Sequence, residues 1–256
     1  MKQLIFALSL AACAAPKLLD PQDPKPTIVL VHGAFADASS WNGVIARLQQ
    51  RGYTVIAPPN PLRGVDADAA TVSRVLATVK GPVVLVGHSY GGMVISEAAQ
   101  GNAAVKALVY IAAFAPETGE SAGQILQKFP VPTFGPDRLQ PVPNGDDADI
   151  YIKRDAFRDV FAADVPEATA AEMAATQRPL AGSAIGAPFA GTPAWKSIPS
   201  WALVSRADHA IAPAAERFMA ERAHSHVVEV DASHAVAVSH PDAVVALIVD
   251  AAHSVH

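Results

Sequence analysis

One stretch restricts this chain more than any other: a strand-like run that ends in Gly-x-Ser-x-Gly and passes at once into a helical pattern. It occupies residues 82–93, PVVLVGHSYGGM. Val83 to Val86 form a short continuous apolar run, the pattern of a strand buried on both faces. From Met93 to Gln100 the apolar residues fall at helical spacing. Only a sharp turn at Ser89 fits between the two, and Gly87 and Gly91 let strand and helix pass closely, with Gly92 allowing similar packing. A strand that enters a helix in this way belongs to a parallel sheet with helices on its faces.

The remainder of the chain repeats the alternation. TIVLVH (27–32), TVIA (54–57), VKALVYIAA (105–113), WALVSR (201–206) and VVEVD (227–231) read as further strands. Helices are predicted over 42–51, stopped by Gly52, over 66–79, with acidic residues at its positive end, and over 213–223 and 241–252. The predicted class is α/β, a mainly parallel, doubly wound sheet of about six strands. Residues 117–195 interrupt the rhythm, being rich in Pro and Gly with scattered aromatics. That is too long for a loop, so a mostly helical inserted cap is expected, with helices near 151–163 and 166–177.

Composition closes off several functions. The charge is −5 with no basic run, so the electrostatic footprint of a nucleic-acid binder is missing. No apolar run reaches the ~18–20 residues of a membrane-crossing helix. The first residues, MKQLIFALSLAAC, place one Lys before an apolar run and Cys13, the pattern of a bacterial lipoprotein signal. Residues 1–12 are then a signal peptide, 13–26 a Pro-rich tether and 27–256 the folded domain. Lipidation of Cys13 would attach an exported, periplasmic protein to a membrane; the alternative is an untrimmed N-terminal strand or helix in a cytoplasmic one. Cys13 is the only cysteine, so no disulfide can form within the chain.

A serine hydroxyl becomes a nucleophile only when a base takes its proton, and the base needs an acid to orient it. His234 follows the strand VVEVD on a loop at the carboxyl edge of the sheet, the same edge as Ser89. His240 on that loop precedes Pro241 and suits the start of the last helix; it is the second choice of base. Asp208 follows WALVSR at the same edge and is the expected acid, its other use being to cap its own loop beside Arg206. Asp231 and Glu117 are the competing acids. The backbone N–H groups of Tyr90 and Ala34 are the expected donors to a developing oxyanion, with Phe35 the alternative to Ala34. His32 reads as a loop brace. His224 and His226 lack a third ligand nearby, so no metal is expected.

HGAFADASSW (32–41), GHSYGG (87–92), SRADHAIAP (205–213) and DASHAVAVSHPDAV (231–244) together resemble the α/β-hydrolase family, in particular its small serine-esterase and hydroxynitrile-lyase-like branch. The resemblance spans residues 27–256. It implies Ser89 as nucleophile, His234 as base, Asp208 as acid, Ala34 and Tyr90 as oxyanion donors, and neither cofactor nor metal. The usual antiparallel opening pair of strands has little room before Thr27, so a sheet shortened at that edge is expected. Phe129, Phe134, Phe157, Phe161, Met173, Phe189 and Trp195 supply apolar surface in the cap and point to a small hydrophobic ester as substrate. The alternatives are a cyanohydrin lyase, for which Lys128 or Lys196 would have to supply a cation, a perhydrolase activity, and a non-catalytic ligand-binding protein.

Overall fold

The computed structural model describes residues 25–255. The signal segment, Cys13 and all but the last two residues of the tether lie outside them. Strands β1 (Thr27–Val31), β2 (Val55–Ile56), β3 (Val83–His88) and β4 (Val105–Ile111) are separated by helices α1 (Asn42–Gln50), α2 (Val65–Leu76) and α3 (Gly91–Ala98). Between β4 and the next strand of the same sheet lie α4 (Ala122–Lys128), β5 (Leu139–Asn144), β6 (Asp147–Ile152), α5 (Arg154–Phe161), α6 (Glu167–Thr176), β7 (Leu180–Ala181) and α7 (Gly182–Gly186). The chain ends with β8 (Ser200–Ser205), α8 (Pro213–Arg222), β9 (His226–Val230), α9 (Val236–Ser239) and α10 (Pro241–His253).

The main sheet has the order β2-β1-β3-β4-β8-β9, and every neighbouring pair is parallel. Among the described residues its edge on this side is the two-residue β2; the stretch before Thr27 where an opening strand pair would lie falls almost entirely outside them. Alternation along the strands divides the core. Val83, Leu85, Leu108 and Tyr110 pack with α2, α3 and α8, whereas Val84, Val86, Val109 and Ile111 pack with α1 and α10. Because all strands run the same way, the loops after β1, β3, β8 and β9 emerge at one edge.

The cap differs from the expectation in one respect. Its helices α5 and α6 fall where helices are predicted, but β5, β6 and β7 form an antiparallel sheet that sequence reading did not contain. The predicted helix at 151–163 begins only at Arg154, because residues up to Ile152 pair with β5 and β7.

Candidate active site

At the end of β3 the chain turns so sharply that Ser89 takes φ +54°, a left-handed conformation that costs a non-Gly residue about 1–3 kcal/mol. Three backbone bonds clamp it. Its N–H donates to the Ile111 carbonyl at 3.2 Å, and its carbonyl accepts from Gly92 at 2.9 Å and Phe114 at 3.2 Å. The turn also needs missing side chains: a Cβ on Gly87 would lie 2.6 Å from the Gly91 carbonyl oxygen, and one on Gly92 only 2.1 Å from that of Phe114. Backbone on both sides leaves no soft neighbour to yield. Gly92→Ala is expected to cost at least about 1–3 kcal/mol and to lower the melting temperature by roughly 3–10 °C in a thermal melt.

The loop after β9 brings His234 to this turn, where it is buried. Its Nε2 lies 2.8 Å from Ser89 Oγ, and its Nδ1 lies 2.5 Å from Asp208 Oδ2. A carboxylate only accepts, so Nδ1 carries the ring hydrogen and Nε2 presents a lone pair to the serine hydroxyl. Asp208, also buried, accepts two further bonds at Oδ1, from the N–H groups of Ala210 at 2.6 Å and Ile211 at 2.8 Å. It therefore caps its loop and orients the imidazole at once.

The competing residues are held elsewhere. Asp231 pairs with Arg206 on the surface at 2.5 Å, and Glu117 pairs with Lys196 at 2.6 Å. His240 stands at the start of α10, its Nδ1 2.9 Å from Ser239 Oγ and 3.4 Å from Asp164. His32 braces its loop: Nδ1 donates to the Gly33 carbonyl, Nε2 accepts from the Asn60 N–H, and the Asn60 amide donates to the His32 carbonyl.

Two further residues hold the site: His88, which has no role in the sequence reading, and Phe161, expected only as apolar cap surface. His88 donates from Nε2 to the His234 carbonyl at 2.9 Å, and the two ring centroids are 4.7 Å apart. Burial, reinforced by the neighbouring His234 ring, pushes the His88 pKa well below the ordinary histidine value, so it stands there neutral. Phe161 presents its ring edge to His234 at 4.8 Å, and its carbonyl accepts from the Ala235 N–H at 2.9 Å. The period of two along β3 places His88 on the face of Val84 and Val86, a signal the sequence does contain.

Ser89 and His234 open into a cavity of about 240 Å³, closed from the cap by Leu126, Phe134, Leu180 and Ile185. Ala34 and Tyr90 line it as well, and among the described residues neither backbone N–H donates to a protein acceptor. Phe35, the alternative donor, spends its N–H on the Arg178 carbonyl at 3.0 Å. The phenol of Tyr90 donates to buried Asp68 at 3.0 Å and so anchors its own backbone. Among the described residues no Asp, Glu, Lys or Arg lines the cavity.

Of the seven apolar cap residues singled out from sequence, only Phe134 faces this cavity. Phe129 packs on Phe218 at 5.3 Å, Phe157 stacks on Phe161 at 5.1 Å, and Phe189 is buried in the core. Trp195 donates its indole N–H to the Pro116 carbonyl, and Met173 lines a separate groove beside α6.

Comparison with known proteins agrees with this fold. A model of the alpha/beta hydrolase family matches residues 28–247. The chain is 30% identical over 255 residues to the alpha/beta hydrolase nvfD of Aspergillus novofumigatus, covering 89% of this chain and 97% of that one. It is 37% identical over 113 residues to the carbendazim hydrolyzing esterase of Nocardioides sp., covering 39% of this chain and 47% of the relative. The crystal structure of a pyrethroid hydrolase from Sphingobium faniae shares the fold, with a TM-score of 0.74 at 24% identity over 89% of this chain and 97% of the other.

Proposed function

The chain belongs to the α/β-hydrolase family, and from that premise we propose that it is a serine carboxylic-ester hydrolase acting on small, largely hydrophobic esters. The observation that carries this reading is the bonded series Ser89–His234–Asp208, at 2.8 and 2.5 Å, opening into an apolar cavity beside two unengaged backbone N–H groups.

In this mechanism Ser89 Oγ attacks the ester carbonyl carbon while its proton passes to His234 Nε2. The carbonyl oxygen becomes an oxyanion facing the Ala34 and Tyr90 N–H groups. Collapse of the tetrahedral intermediate breaks the ester C–O bond, and the imidazolium returns its proton to the departing alkoxide. The acyl group is now on Ser89. A water then gives its proton to His234 and attacks the acyl carbon, and the same steps in reverse role release the acid and restore the hydroxyl. Asp208 stays ionised and holds the imidazole in the tautomer each step requires.

The esterase name of the Nocardioides relative supports the same class. The lyase alternative requires a cation at the substrate, and both candidates are occupied: Lys196 pairs with Glu117, and Lys128 lies 3.8 Å from the centre of the Phe218 ring. A panel of p-nitrophenyl esters of increasing acyl length, assayed beside a cyanohydrin, tests the assignment. The highest kcat/KM is expected for uncharged short-to-medium acyl groups, with a steep fall for acyl groups ending in a carboxylate, because no Lys or Arg among the described residues lines the cavity to pair with one. Cyanohydrin cleavage outrunning ester hydrolysis would refute it.

A further inference from the structure

Behind Asp208 stands a second carboxyl group that the mechanism above does not use. Glu216 projects from α8 into the interior and is 3% exposed. Its Oε2 accepts the Ser205 N–H at 3.0 Å, whereas its Oε1 is buried without a donor among the described residues. Its charged neighbour is Asp208, held on the same turn: the Asp208 N–H donates to the Ser205 carbonyl at 3.2 Å, while the Ser205 N–H donates to Glu216. A buried acceptor facing another acceptor is a costly arrangement unless one of them carries a proton.

The donor count says which one. Asp208 already accepts three N–H bonds, from Ala210, Ile211 and His234, so it keeps the charge. Glu216 accepts one. The other groups around it do not alter the assignment. Arg217, next on the helix, is turned outward and paired with Glu229 at 2.7 Å; Tyr110 of β4, which lines the same small void, exchanges its hydrogen bond with Ser96; and His234 lies beyond Asp208.

We propose that Glu216 is a positioning residue of the site: held as the neutral acid, it donates a hydrogen bond from Oε1 to the Asp208 carboxylate. The orphaned oxygen then has a partner. The pair carries one negative charge, fixed by four donors and aimed at the imidazole, where two ionised carboxylates would repel each other in the interior. Burial first, then the charge of Asp208, holds the Glu216 carboxyl well above the ordinary carboxylate range, in agreement with this state.

The inference rests on the triad reading of Ser89, His234 and Asp208, and two variants test it with readouts that separate the two. Glu216→Met removes the donor at similar size; kcat for ester hydrolysis is expected to fall roughly 10–100-fold, the worth of a charge-assisted bond, at unchanged KM. Glu216→Gln, whose amide can still donate to Asp208, is expected to recover most of that loss. The second readout needs no activity. A group protonated in the fold and ionised when unfolded weakens the fold as pH rises from the ordinary carboxylate range toward its raised folded value. The melting temperature of Glu216→Gln is therefore expected to match the wild type near pH 4 and to exceed it by a margin that widens toward neutral pH.

Melting curves that keep a constant separation from pH 4 to 8, or a Glu216→Gln variant as impaired in kcat as Glu216→Met, would overturn the proposal. Should Glu216→Met not fold, the pH-dependent separation for Glu216→Gln decides alone. If turnover proves independent of Ser89, the triad reading fails, and the melting curves still report whether Glu216 holds a proton.

Discussion

Ser89→Ala is expected to abolish ester hydrolysis, with kcat falling on the order of 10⁶-fold, the scale on which deleting the nucleophile of a serine triad acts. The reason is chemical rather than steric. Alanine leaves the cavity, the Ala34 and Tyr90 N–H groups and the His234–Asp208 bond in place, so substrate still binds. What disappears is the oxygen 2.8 Å from His234 Nε2, and with it the acyl-enzyme and the two-step route. Remaining turnover would be water attack assisted by the oxyanion donors alone. Stability is expected to change by no more than about 1 kcal/mol, since one hydrogen bond is lost and the strained backbone at φ +54° is the same for either residue. Release of p-nitrophenol from a short-chain ester, with circular dichroism and a melting curve as controls, reads both quantities. A folded Ser89→Ala variant with near wild-type turnover would remove the serine-esterase assignment.

The legible parts of this chain share a cause. Strands β1, β3, β4 and β8 are buried on both faces almost throughout, so they read as near-continuous apolar runs, while β2 and the exposed β9 keep enough β-branched residues to be placed within a few residues as well. The three side chains around the turn were legible because a parallel sheet sends its carboxyl-end loops to one edge. That rule alone joins residues as distant as Ser89, Asp208 and His234. Deciding between Asp208 and Asp231 required the fold: the preference came from geometry of the edge, but the Arg206 pair that removes Asp231 is a tertiary fact.

What was missed is equally physical. Pro141 and Pro143 argue against a central strand, yet β5 pairs on one side only, and an edge strand tolerates residues that cannot donate to the ladder. The tight connection through Gly145, at φ +60°, and Asp146 was a hairpin signal that the flanking prolines obscured. The cap aromatics were counted correctly as apolar surface, but a sequence does not say which way Phe129 or Phe189 faces. Most turned into packing, and the cavity wall passed to Leu126, Leu180 and Ile185, which sequence reading had not marked. Glu216 lay in an unremarkable helical stretch; only the burial of a carboxyl beside Asp208 makes it visible.

Asp208→Asn tests the remaining link, and kcat is expected to fall about 10⁴-fold, with the protein folded and KM little changed. Asp208 does not line the cavity, so substrate contacts survive. An asparagine oxygen can still accept from Ala210 and Ile211, which preserves the loop. Its amide nitrogen then meets His234 Nδ1 and donates where the carboxylate accepted. The ring proton is driven to Nε2, and an Nε2–H facing Ser89 Oγ can no longer take the serine's proton. The imidazolium formed during attack also loses its counter-charge. Asp231→Asn and Glu117→Gln supply the comparison, because both carboxylates are committed to surface ion pairs with Arg206 and Lys196 and neither touches His234. Steady-state kinetics on one p-nitrophenyl ester for all three variants decide the matter: a large loss in Asp231→Asn or Glu117→Gln with Asp208→Asn spared would assign the acid to the wrong loop.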